Sequence, residues 1–103
     1  MSETIDKLVK TIRSRKGNDV KSSYTSFLLS KGNDHCLNKL KEEMNELEDA
    51  IKNKKNTAHE TADVIYHLLV TLESAGINFD DIMTELKKRE GTSGFEEKKN
   101  RRI

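Results

Sequence analysis

Apolar residues along this chain recur at intervals of three and four, the spacing of one helix face, and strand signals are weak throughout. Ile5, Leu8, Val9 and Ile12 form the first such run and predict a helix from about Glu3 to Arg15. The polar stretch Lys16 to Ser22 reads as a loop. Ser22 or Ser23 can cap a short second helix that carries Tyr24, Phe27 and Leu28 and ends at Gly32. Asn33 or Asp34 can cap a third. Its apolar residues, Leu37, Leu40, Met44, Leu47 and Ile51, are spaced three, four, three and four apart, a narrow stripe expected to face the core. Asn53 to Asn56 form a polar break. A fourth helix is predicted from about Thr57 to Ala75, stopping at Gly76, and a fifth from near Asn78 or Asp80, with Ile82, Met83 and Leu86. From Gly91 onward the chain is polar and reads as irregular. The expectation is an all-α domain over residues 1–103, a bundle of four to five helices whose third and fourth members pack antiparallel across a short connection.

Composition adds two constraints. Of 103 residues, 33% are hydrophobic and 36% charged, so a lone monomer buries a small core, and a homodimer is expected to supply further apolar burial. Formal net charge is +1, which gives no bulk electrostatic reason to bind nucleic acid. The single cysteine, Cys36, excludes an intrachain disulfide and suits a reducing compartment. No apolar run approaches the length of a membrane span, and the N-terminus lacks a signal-peptide core, so the chain reads as cytoplasmic with no membrane partner.

The informative charges are local. Glu43 and Glu46 are three apart on the third helix and share a face, with Glu43 flanking the apolar stripe and Glu42 turned more toward solvent. On the fourth helix Glu60, Asp63 and His67 form one stripe between apolar flanks. That helix is apolar nearly all round and is expected to be largely buried. Unpaired carboxylates in such a setting are costly. Two facing acid pairs repel unless a cation sits among them, and all-oxygen ligands select Mg²⁺, Mn²⁺ or Ca²⁺ over zinc. The bland readings are a solvated acidic face for Glu42, Glu48 and Asp49, and a Thr57–Glu60 capping box, for which Asn56 is an equally good alternative cap.

These residues carry a resemblance. Glu42-Glu43-x-x-Glu46 followed by Glu60-x-x-Asp63 is similar to the metal-binding signature of the all-α, MazG-like nucleotide pyrophosphohydrolases. Ser23-Tyr24-Thr25, Lys39-x-x-Glu42-Glu43, Glu60-x-Ala62-Asp63-x-x-Tyr66-His67 and the run Arg89 to Lys98 narrow it, in that order along the chain, to the phosphoribosyl-ATP pyrophosphohydrolases. Lys41 stands where that family often has glycine, and the Lys16–Ser22 loop lacks its usual prolines. The resemblance implies a dimeric hydrolase that binds an ATP-derived nucleotide and converts phosphoribosyl-ATP to phosphoribosyl-AMP and pyrophosphate, the second step of histidine biosynthesis. No segment resembles the cyclohydrolase domain fused to this activity elsewhere. It implies Mg²⁺, with Mn²⁺ a possible substitute, held by Glu43, Glu46, Glu60 and Asp63. Glu42, Glu43 and Glu46 are the catalytic candidates, Glu42 as a further ligand or water-orienting base.

For substrate binding the candidates are Arg15, Ser23, Tyr24, Lys39 and His67. Three of them have a plainer role. His67 can be a helical histidine satisfied by a carboxylate, Tyr24 a core ring with a satisfied hydroxyl, and Lys39 a partner of Glu43 one turn on. The basic run Lys98 to Arg102 reads as a solvated tail, with closure over a polyphosphate as the alternative. Cys36 reads as a small apolar residue. Two other functions compete: a house-cleaning nucleoside triphosphate pyrophosphatase with the same metal chemistry, and a non-enzymatic helical dimerisation module whose acids are solvated.

Overall fold

In the computed structural model, which describes residues 3–91 and 94–95, the chain forms five helices and, among those residues, no strand. They are α1 (Glu3–Arg15), α2 (Tyr24–Lys31), α3 (Asn33–Asn53), α4 (Thr57–Ser74) and α5 (Phe79–Lys88). The readings made for Thr92, Ser93 and residues 96–103, the basic run among them, lie outside the described residues.

Local chemistry sets the boundaries. In α1, Glu3 and Asp6 occupy the first turn and Arg13 and Arg15 the last, each sign matching the helix dipole at its end. Ser23 caps α2 by accepting the Ser26 N–H at Oγ. Gly32 then ends α2 and begins α3 as a single residue, at φ +88°. Asn33 and Asp34 were the expected caps, but a one-residue connection leaves no room for either, and both lie inside α3. Asn33 instead accepts the Ser74 hydroxyl at 2.6 Å, tying the start of α3 to the end of α4. Neither expected cap of α4 forms. Asn56 stands in the N-cap position at φ +57° and its side chain makes no capping bond, while the Thr57 hydroxyl donates to the Ala50 carbonyl.

The fold is organised on the α3–α4 pair. Thr71, late in α4, donates to the carbonyl of Cys36, early in α3. Thr57, first in α4, meets Ala50, late in α3. The helices therefore run antiparallel, as their short connection requires. Ile12, Leu28, Cys36, Leu69 and Val70 form the buried core, with Leu8, Val9, Leu29, Tyr66, Leu72 and Phe79 packed around it. α1 and α2 thus cover the end of the pair where α3 begins and α4 finishes. Phe79 ties α5 to that core, and Asn78 caps α5 by accepting the Asp80 N–H.

Two packing expectations are corrected. The stripe on α3 does not face the core as a whole: Leu37, Met44 and Ile51 are exposed, Ile51 by 57%, and Leu40 and Leu47 are half-buried. The face that meets α4 runs instead through Cys36, Leu40, Glu43, Leu47 and Ala50. Small residues at both ends of that row let the helices approach, which turns the outer edge of the apolar stripe away. Nor is α4 largely buried. Its buried residues, His67, Leu69, Val70 and Thr71, all lie in its second half, and Ile65 and Leu68 are exposed. The chain is elongated, with a radius of gyration of 15.7 Å against about 13 Å for a compact domain near 100 residues.

The turn between α3 and α4 holds two non-glycine residues at positive φ, Lys54 at +55° and Asn56 at +57°. Asparagine tolerates this region better than lysine does. The Lys54 side chain is exposed, so its removal loses no packing. Lys54→Gly is expected to stabilise the fold by roughly 0.5–1 kcal/mol, read as a higher urea midpoint with unchanged slope. A lower midpoint would show that the left-handed turn is not the native one.

Candidate active site

Antiparallel packing brings the acids of the two helices to one seam. Glu43 and Glu46 stand one turn apart on α3, and Glu60 and Asp63 one turn apart on α4. Glu43 lies on the face of α3 that meets α4, half-buried where the neighbouring rows hold apolar residues. Burial holds its carboxyl above the ordinary carboxylate range, and the Glu46 carboxyl beside it adds to the rise, as does Asp63 across the seam, while His67 opposes it. Glu46 and Glu60 line one cleft of about 280 Å³, together with Asp49, Ala50, Asn53, Lys55 and Asn56. Glu43 thus feels the charges of Glu46 and Asp63, and Glu46 and Glu60 share a cleft, while the closest grouping of ligand atoms among the described residues is that of His59, Glu60 and Asp63, within 4.8 Å of one another.

His67 closes the buried end. Its Nδ1 lies 3.0 Å from the Asp63 carbonyl oxygen one turn earlier, so Nδ1–H donates there. Nε2 is buried and has no hydrogen-bond partner among the described residues. The carboxylate partner expected for this ring is not made; a backbone carbonyl takes its place. Tyr66 and Tyr24 meet His67 in T-shaped arrangements, at centroid distances of 5.0 and 6.2 Å. The Tyr66 hydroxyl shares a short hydrogen bond with Thr25, which pins α2 to α4. Tyr24 is not a core ring: it is half-exposed and stacks on Phe27.

The remaining candidates sit at the rim. Lys39 pairs with Glu42 at 3.2 Å and not with Glu43. That hydrogen bond is the main reason its ammonium holds its proton more tightly than usual, and Tyr24 nearby adds to it. Glu42 is thereby turned to the surface. Ser23 spends its hydroxyl on the α2 cap and on Ser26, whose own hydroxyl donates to the Arg15 carbonyl at 3.0 Å. This chain of bonds seats the end of α1 against α2, and Arg15 itself is exposed. Cys36 is buried, donates to the Leu28 carbonyl, and burial pushes its thiol pKa up, which excludes an activated thiolate.

One residue escaped the sequence reading. His59 places Nε2 3.3 Å from Asp63 Oδ2 and 3.8 Å from Glu60 Oε1. Its position four before Asp63 was the available signal, since such residues share a helix face.

The site combines clustered hard oxygen donors, a carboxyl whose proton affinity is raised by its neighbours, and an orphaned buried ring nitrogen. Such a donor set suits a divalent cation that also meets phosphate oxygens. The profile of one protein family, Phosphoribosyl-ATP pyrophosphohydrolase, matches residues 5–90. The chain belongs to that family. Proteins named phosphoribosyl-ATP pyrophosphatase from three bacteria are similar to it over nearly their whole length. The one from Cereibacter sphaeroides is 41% identical, covering 94% of this chain and 96% of its own. That from Rhodobacter capsulatus is 42% identical over 91% and 93%, and that from Roseobacter denitrificans 43% over 95% and 95%. The family match contains every acid of the seam as well as Arg15, Ser23, Tyr24, Lys39 and His67, and ends at the residue before Gly91.

The raised proton affinity of Glu43 has a consequence for stability. The folded, metal-free chain binds that proton more tightly than the unfolded chain does. The associated stability is fully present below the unfolded pKa and is lost as pH rises through the folded one. Glu43→Gln fixes the neutral form, so the metal-free variant is expected to melt above the wild type at neutral pH and level with it in acid. Equal melting temperatures at both pH values would remove the claim that Glu43 is strained by its neighbours.

Proposed function

We infer that this chain hydrolyses phosphoribosyl-ATP to phosphoribosyl-AMP and pyrophosphate, the second step of histidine biosynthesis. The observation that carries the reading is the seam itself: two acid pairs on adjacent helices, within a chain that matches the family from residue 5 to residue 90. Under this reading Glu43, Glu46, Glu60 and Asp63 hold Mg²⁺, with Mn²⁺ able to replace it. An ion held there would supply positive charge to phosphate oxygens and bring the acidity of water toward neutral pH.

The protein's own groups do the rest. One of the third-helix acids Glu42, Glu43 and Glu46 orients the attacking water and takes its proton. Attack falls on the α–β anhydride, so pyrophosphate leaves whole. Lys39, held charged by Glu42, faces the phosphates from the rim. His67, with Nδ1–H committed to the Asp63 carbonyl, presents its unpartnered Nε2 to the substrate. Tyr24, half-exposed beside it, flanks the nucleoside.

We also propose that the open apolar faces are covered by a second copy of the chain. Met44, Leu47, Ile51 and Val64 line a groove of about 430 Å³ on the α3–α4 pair. Met44 and Ile51 are each more than half exposed, a patch that monomers rarely leave open.

A product assay tests the first reading. Pyrophosphate, not orthophosphate, is expected from phosphoribosyl-ATP with Mg²⁺ present, and Asp63→Asn is expected to slow turnover by about 100-fold or more. Faster cleavage of dCTP would identify a house-cleaning triphosphate pyrophosphatase instead, and normal turnover in Asp63→Asn would displace the site. Sedimentation tests the second. A dimer is expected for the wild type and a monomer for Ile51→Lys; a stable wild-type monomer at micromolar concentration would refute it.

A further inference from the structure

His59 begins the acidic stripe of α4 and takes no part in the mechanism above. Its side chain is 73% exposed, yet its Nε2 points inward, at 3.3 Å from Asp63 Oδ2 and 3.8 Å from Glu60 Oε1. One ligand atom from each of His59, Glu60 and Asp63 lies within 4.8 Å of the others. Donors that bind one divalent ion at about 2.0–2.2 Å stand roughly 3–3.5 Å apart at the usual ligand angles. The His59–Asp63 separation falls in that range, and the His59–Glu60 separation of 3.8 Å lies just beyond it. Helix geometry produces the match: residues four apart share a face, and the Glu60 side chain reaches the same point from the adjacent position.

An imidazole changes the chemistry of an otherwise all-oxygen site. Mg²⁺ favours hard oxygen ligands and gains little from a nitrogen, whereas Co²⁺ and Mn²⁺ bind nitrogen and oxygen together, Co²⁺ the more strongly. We propose that His59 is a nitrogen ligand to the divalent cation held by Glu60 and Asp63, so that the site of this chain selects a borderline cation such as Co²⁺ over Mg²⁺. The proposal rests on the reading of Glu60 and Asp63 as cation ligands. A different role is open to the same geometry: as an imidazolium, His59 would be the counter-ion of Asp63 and would compete with any incoming cation.

The two roles give opposite results on removal, and the exposed position of His59 makes His59→Ala safe for folding. Metal-free wild type, His59→Ala and Asp63→Asn are titrated calorimetrically with Co²⁺ and with Mg²⁺ at one neutral pH, and the visible spectrum of the Co²⁺ form is recorded. His59→Ala is expected to weaken Co²⁺ binding by about tenfold or more and Mg²⁺ binding by about twofold or less, and to shift the Co²⁺ ligand-field bands. Equal changes in both affinities, a gain in both, or unmoved Co²⁺ bands would overturn the proposal and leave His59 as a counter-ion. Asp63→Asn separates the underlying reading: it is expected to lose affinity for both ions. Wild-type affinity for both in that variant would overturn the acidic site, and the role of His59 with it.

Discussion

Carboxylates on a packed helical seam are the constraint around which this molecule is arranged. Glu43 occupies a place on α3 where geometry calls for an apolar side chain, with Glu46 beside it and Asp63 opposite. Such crowding opposes folding, so the pair needs firm attachment elsewhere. At one end the Thr71–Cys36 and Ser74–Asn33 bonds join α4 to α3. At the other, the left-handed Lys54 and Asn56 turn the chain within three residues. The acids lie between these anchors, and the apolar core sits to one side of them under α1 and α2. Strain is thus confined to a segment that both ends hold in register.

Helix positions were legible because glycine stops and apolar periodicity agreed. Gly32 and Gly76 follow their helices as expected, and Glu3 and Arg15 bound α1. Periodicity was less able to say which side of a helix faces which neighbour. The row Leu37–Met44–Ile51 is as hydrophobic as any in the chain, but it lies toward the edge, because a packing face follows small residues such as Cys36 and Ala50 as well as large ones. A sequence read as a monomer cannot distinguish a core face from one that awaits a second chain. Caps failed for a related reason. Asn33 and Asn56 have the right chemistry, yet connections of one and three residues fix their backbones before their side chains can choose.

Of the acids, the Glu60–Asp63 pair was legible from its i, i+3 spacing, and it is the pair found in the closest group of ligand atoms. Its surroundings were not. Whether Lys39 turns to Glu42 or Glu43 is decided by rotamers that differ by little in energy. That His67 bonds a carbonyl of its own helix, and that Tyr24 stays half outside, depend on how α2 lies against α4. His59 was passed over because an exposed histidine beside a glutamate is commonplace until a distance is attached to it.

The burial of Cys36 bears on how the protein can be handled in the laboratory. Its thiol is covered, hydrogen-bonded to the Leu28 carbonyl, and held in the protonated form by its surroundings. Maleimides and disulfide reagents need an accessible thiolate, so the native chain is close to inert toward them. A cysteine introduced on any exposed helix therefore labels alone. Fluorophores or spin labels can be attached one site at a time, without first deleting a residue from the core, to follow how α5 sits against the bundle.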